Sequence, residues 1–309
     1  MHANEREFKF NSRSLACIRG SNSSQELPGP YNVLYVISKE QKAQYREEGY
    51  MILERIVPDE MLEMLRRECS YFMGYADAEM DAANERSLGP NHRGLRYFIA
   101  NRYRMSPVLR RFIFSPLMAD IAQAALGPDV YLFHEQWVVK GPEKGMPFAW
   151  HQDSGYVKAG DRNTSHRPYL TCWVPLDDVS EENGTVYLLP HSRGGTNHTI
   201  HDHNQEEGTN ALVGYTGDDP GIAVEVPAGT VVAFTSYNLH RSGPNTSPNL
   251  RRVYLPQYSA EPIMKSDGSE RWGMAVPFVK NRKIVYNPEG DSAEKYGGGA
   301  GVPSKDDGP

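Results

Sequence analysis

The sequence predicts a mainly β protein with bracing helices, of the double-stranded β-helix class (a jelly roll, cupin-like). Three observations carry that reading. Helix signals concentrate between Ser38 and Gly127, short β-rich runs follow Asp129, and the two are not interleaved as a parallel doubly wound sheet requires.

The helices come first. Ser38, followed three residues later by Gln41, forms a capping box for a helix that Gly49 closes, and Tyr50-Met51-Ile52-Leu53 reads as a short strand. Pro58 suits the first turn of a second helix, along which Met61, Leu65, Cys69 and Phe72 recur at four- and three-residue spacing as one apolar stripe. Ser106-Pro107 and Ser115-Pro116 repeat the cap-then-proline signal, and Gly127-Pro128 ends the last helix. The runs YLFHEQWVV, YLTCWVPL, TVYLLP, IAVEVP, TVVAFTSY and RRVYLPQYS then read as strands, with Gly, Pro, Asn or Asp between most of them.

Composition bounds the function. With 39% hydrophobic residues and 18 Tyr beside 4 Trp in 309 residues, the chain has material for a core. Its 33 basic and 39 acidic side chains give a formal charge of −6, so it lacks the basic footprint that binding nucleic-acid phosphates demands. No membrane association is expected, because no stretch of about 18 apolar residues occurs. The opening MHANEREFKF is charged where a secretory signal is apolar, and three cysteines at no metal-like spacing suit a reducing compartment. A cytoplasmic location is expected. Residues 1–30 read as a flexible arm, 31–289 as a single domain, and 290–309, with the run GGGAG, as a flexible tail.

Trp150-His151-Gln152-Asp153 is the most informative segment. In an extended strand residues two apart share a side, so the His151 imidazole and the Asp153 carboxylate can converge on one cation. The pair alone proves little. His240, near the end of the apolar strand TVVAFTSYNLH, is a third donor that a jelly roll can bring beside it. Two histidines and one carboxylate form a facial triad, which leaves three positions on ferrous iron, Fe(II), for a bidentate cosubstrate and dioxygen (O2). Arg251 follows His240 by eleven residues, and its planar fork suits the far carboxylate of a dicarboxylate. That cosubstrate reads as 2-oxoglutarate. Arg252 falls on the opposite strand face, so only one of the two can serve.

The chain resembles the phytanoyl-CoA dioxygenase family of iron- and 2-oxoglutarate-dependent oxygenases. The resemblance runs from ISKEQKAQYREEGYMILERIVPDEMLEMLRRE through WHQD, TCWVPLDDVSEENGTVYLLP and LHRSGPN to Arg251, over about residues 38–258. It implies that His151, Asp153 and His240 ligate iron, that Arg251 and Ser242 hold the outer carboxylate of 2-oxoglutarate, and that Trp173 lines that pocket. It also implies oxidation of a small-molecule C–H bond with release of succinate and CO2, and hydroxylation over halogenation, since related halogenases carry a small residue where Asp153 stands. One departure is PHSRG after Leu189, where the family usually reads Pro-Gly-Ser-His.

Other residues admit two readings each. His134 and Gln136 share one face of YLFHEQWVVK and suit either 2-oxoglutarate contact or a polar barrel interior; Gln136 is the cofactor candidate. Phe148 and Tyr156, which flank the metal pair, and Tyr97 and Phe98, in RGLRYFIANRYR, are candidates for the substrate wall or for ordinary core. His198, His201 and His203, with His191 nearby, form a rival metal cluster or a solvated loop. Two other functions fit the residues: a zinc-type, non-redox metalloenzyme on the same ligands, and a catalytically silent binding protein that keeps the jelly roll.

Overall fold

The computed structural model describes residues 37–142, 147–206 and 212–297. The chain builds an antiparallel jelly roll. Its major sheet runs, from one edge, Tyr50–Leu53, Val231–Thr235, Leu170–Pro175, Arg251–Ser259, Val130–Lys140 and Arg96–Ala100, with Val276–Lys280 also paired to Val130–Lys140. The minor sheet orders Ile222–Ala223, Val186–Leu189, Leu239–Ser242 and Phe148–His151. Between them lies a shared core that includes Val138, Trp173, Leu188, Phe234, Val253 and Leu255.

Alternation explains how one strand serves two layers. Along Arg251–Ser259, Val253 and Leu255 enter that core, whereas Tyr254 packs on Phe112 and the Tyr258 hydroxyl donates to the Ile113 carbonyl at 2.7 Å. Phe112 and Ile113 belong to a helix, so the outer face of the sheet is covered by helices and the inner face is left for the site. Helix α1 (Lys39–Glu48) has the full capping box at Ser38 and Gln41 and ends at Gly49 with φ 83°. Helix α2 (Asp59–Ala82) buries Met61, Leu65, Cys69 and Phe72 and continues the stripe through Ala76 and Met80; Pro58 is its N-cap and not a first-turn residue. Ser106 and Ser115 cap α3 (Pro107–Ile113) and α4 (Pro116–Leu126).

Several boundaries differ from the sequence reading. The run TVVAFTSYNLH is two strands, Val231–Thr235 in the major sheet and Leu239–Ser242 in the minor one, separated by a turn closed by Asn238 N–H on the Thr235 carbonyl at 2.9 Å. Of IAVEVP only Ile222–Ala223 is a strand, with Val226 in a lone bridge to Val179. WHQD is extended only through Gln152, and Asp153 opens helix α5 (Asp153–Gly160). The loose tail expected from Gly290 is tied down as far as Gly297. Asp291 accepts from the Tyr103 hydroxyl at 2.7 Å and from Arg104 at 2.9 Å, and the Tyr296 carbonyl accepts from Ala275. The arm expected over 1–30 lies outside the described residues. No helix among the described residues is long and apolar enough to cross a membrane.

Candidate metal centre and carboxylate site

His151 ends the strand Phe148–His151, and His240 sits opposite it in register on Leu239–Ser242, so strand pairing alone brings the two imidazoles to 4.1 Å between ring centres. Each ring is oriented by its own backbone. His151 Nδ1–H donates to the Ala149 carbonyl at 2.8 Å and His240 Nδ1–H to the Asn238 carbonyl at 3.1 Å, which fixes the tautomer and leaves both Nε2 atoms as donors to a cation. Asn238 is itself fixed, its amide donating to the carbonyls of Leu189 and Glu48. Asp153 joins from the start of α5 because Gln152 remains extended (φ −109°, ψ 136°) before the chain turns helical. Its Oδ1 lies 3.5 Å from His240 Nε2, and one ligand atom from each of the three residues falls within 4.8 Å of the others. Donors about 2.1 Å from one cation at right angles stand about 3 Å apart, so the spacing fits one transition-metal ion. Among the described residues this is the one such cluster of three or more His, Cys, Asp or Glu side chains.

Asp153 is held on its other oxygen. Oδ2 accepts from the Thr171 hydroxyl at 2.5 Å and from Gln257 Nε2 at 3.0 Å, and Gln257 Nε2 also donates to Thr171 Oγ1 at 2.9 Å. Thr171 and Gln257 face each other across the central strands. Sequence reasoning missed both. Gln257 was within reach, since 251, 253, 255 and 257 share a strand face, but Thr171 depends on the register of another strand.

Arg251 lies farther along the same inner face. It is 1% exposed, and among the described residues its guanidinium makes no hydrogen bond or ion pair. Burial pushes its pKa down to about 10. A buried cation without a partner is costly, so this guanidinium suits a carboxylate guest. Trp173 lies 5.7 Å from it, and Ser242 accepts from the buried Lys140 at 2.7 Å. Lys140 pairs with Arg251 in register and also donates to the Gly243 carbonyl at 2.7 Å. The sequence reading did not single out Lys140, though 134, 136, 138 and 140 also alternate to one face. Arg252, on the opposite face, is spent on Asp177.

The remaining candidates separate. Gln136 is half-buried on the inner face beside Leu255 in register, and His134, buried next to it, is kept neutral by a pKa pushed down to about 4. Phe148 and Phe98 meet edge to face at 5.6 Å, and Tyr156 sets its ring edge-on to His151 at 5.5 Å. Tyr97 does not join them. Its side chain points to the helix layer, where the hydroxyl donates to Asp77 and accepts from Gly94 N–H, because neighbours on a strand face opposite ways.

The histidine loop is neither a second metal cluster nor freely solvated. His203 Nε2 accepts the Gln152 N–H at 2.9 Å, Nδ1–H donates to the His201 carbonyl at 2.8 Å, and the ring fills the space where Gly155 lacks a side chain. The Gln152 amide ties Thr199, His201 and Tyr237 together. His198 is exposed, and His191 is buried on Thr196, so these rings do not share a cation.

The model of the phytanoyl-CoA dioxygenase (PhyH) family matches residues 45–253. An ectoine dioxygenase of Bordetella parapertussis is 29% identical over 274 residues, covering 81% of this chain and 88% of the relative. A probable alpha-ketoglutarate-dependent hypophosphite dioxygenase of Stutzerimonas stutzeri is 28% identical over 260 residues, covering 80% and 87%. The crystal structure of EctD from S. alaskensis with 2-oxoglutarate and 5-hydroxyectoine superposes with a TM-score of 0.59 at 22% identity, covering 82% of this chain and 86% of that one. That last likeness speaks for the fold.

Proposed function

Because the chain belongs to the phytanoyl-CoA dioxygenase family, we propose that it oxidises a C–H bond of a small organic molecule as an iron- and 2-oxoglutarate-dependent dioxygenase. His151, Asp153 and His240 hold the iron, Arg251 and Ser242 take the outer carboxylate of 2-oxoglutarate, and Trp173 and Gln136 line its pocket. Iron held there, with 2-oxoglutarate and dioxygen, would supply the coupling of oxidative decarboxylation, giving succinate and CO2, to oxidation of the substrate.

The chain's own residues do three things. The paired strands and the two backbone carbonyls orient both imidazoles through Nδ1, so little reorganisation is needed on metal binding. Arg251 offers a charge-assisted fork in a site without water-like screening, which favours a carboxylate over a neutral group. Phe98, Phe148 and Tyr156 form an apolar wall that excludes water and packs on the substrate. Hydroxylation is favoured over halogenation because Asp153 supplies the third donor.

One observation carries the reading: two imidazoles and one carboxylate oxygen converge on the inner face that also buries Arg251, whose guanidinium has no hydrogen-bond or ion-pair partner among the described residues. The substrate is proposed to be a small polar metabolite, in keeping with the relative named for ectoine. The test is succinate release with oxygen uptake across a panel of such compounds, with and without Fe(II). Iron-dependent succinate formation that disappears in both His151→Ala and Asp153→Ala is expected. Tightly held zinc with hydrolysis and no oxygen uptake would overturn it.

A further inference from the structure

The carboxylate of Asp153 has two oxygens of very different surroundings. Oδ1 faces His240 Nε2, while Oδ2 receives two donors, Thr171 and Gln257. A carboxylate oxygen has about two lone-pair sites, so both at Oδ2 are taken. The direction of each bond is fixed by proton count. Gln257 Nε2 donates to both Asp153 Oδ2 and Thr171 Oγ1, and because an ionised carboxylate only accepts, the single threonine proton goes to Asp153. The three side chains close a ring of hydrogen bonds. Thr171 is fully buried and Gln257 5% exposed, so water does not compete for these bonds.

Resting on the reading above, we propose that Thr171 and Gln257 are positioning residues that set the denticity of Asp153. By saturating Oδ2 they leave Oδ1 as its one metal ligand. The protein then occupies three positions on the metal and keeps two adjacent ones for the chelating end of a 2-oxo acid. Without the two donors Oδ2 is free to turn to the metal, and the carboxylate competes with the 2-oxo acid for the same position. The consequence is a split: metal binding is retained while 2-oxo acid binding weakens, although Arg251 at the far carboxylate is untouched.

The test measures binding by calorimetry, first Mn(II) to the whole chain and then 2-oxoglutarate to the Mn(II)-loaded protein, in wild type, Thr171→Val, Gln257→Leu, the double variant and Thr171→Ser. Mn(II) affinity within about threefold of wild type, because the released Oδ2 stays within reach of the metal, and 2-oxoglutarate affinity about tenfold weaker in the double variant are expected. Thr171→Ser keeps the hydroxyl and should match wild type. Thr171→Val keeps the side-chain shape and should show the same split if the double variant fails to fold. Unchanged 2-oxoglutarate affinity in a folded variant overturns the proposal. So does loss of Mn(II) and 2-oxoglutarate affinity by the same factor, which marks a merely structural role. Failure of the wild type to bind Mn(II) at all would instead strike the iron site itself.

Discussion

Arg251 and Arg252 are neighbours with the same charge and opposite fates, and strand alternation is the reason. Arg251 is buried with no hydrogen-bond or ion-pair partner among the described residues, whereas Arg252 is paired with Asp177. Arg251→Ala should therefore raise the 2-oxoglutarate KM at least about 100-fold, since two charge-assisted hydrogen bonds are worth about 1.5–3 kcal/mol each. Arg252→Ala should leave that KM unchanged and cost about 1 kcal/mol of stability or less. Equal effects of the two substitutions in steady-state kinetics would contradict the assignment. His151 and Asp153 were legible from their two-residue spacing and Arg251 from its offset from His240, with alternation choosing it over Arg252; the spacing held although Asp153 opens a helix. Thr171 and Lys140 were not legible in that way. Their roles depend on which residues a strand meets across the sheet, and register is a property of the assembled sheet.

Elements were most legible where a short local signal fixes them. The capping box at Ser38 and Gln41 needs four residues, and the structure has it. The crossing between sheets at 235–238 was missed, because a continuous apolar run does not show where a strand leaves one layer for the other. The end of α1 shows how an element also supports the loop beside it. Gly49 has φ 83°, and a Cβ there would stand 2.3 Å from His191 Nε2. Gly49→Ala should thus combine a left-handed backbone cost of about 1–2 kcal/mol with overpacking of about 1–3 kcal/mol. Ser38→Ala, which removes only the cap, should cost about 0.5–2 kcal/mol. Urea midpoints measure both; an alanine at 49 milder than one at 38 would show that His191 moves aside freely. His191 also accounts for PHSRG: its ring is a buried prop under α1, bonded to Thr196 at 2.7 Å.

At the scale of the whole molecule, helices brace the outer face of the major sheet and the site occupies the inner face between the sheets. The class of fold was legible from the order of helix and strand signals, and α1 and α4 end at the glycines the sequence marks, Gly49 and Gly127. Burial on this scale also sets the response to acid. His134 and His191 have pKa values pushed down to about 4 by burial, against about 6.5 in an unfolded chain. Between pH 6.5 and 4 the unfolded chain therefore takes up two protons that the folded chain refuses, and stability falls as pH falls. Buried Glu135, pushed up to about 7, opposes this with one proton held by the folded state. Two against one leaves a net loss, so the urea midpoint should be lower at pH 5 than at pH 7; a higher midpoint at pH 5 would contradict the burial of these rings. The central claim is more specific: three side chains from two strands and a helix end hold one iron that remains open to a 2-oxo acid. Its most direct measurement is the visible charge-transfer absorption of 2-oxoglutarate chelated to Fe(II), followed by anaerobic titration. One equivalent of each should produce the band in wild type, with none in His240→Ala. A wild-type protein that takes up Fe(II) and 2-oxoglutarate without the band, or a His240→Ala variant that keeps it, would contradict the account.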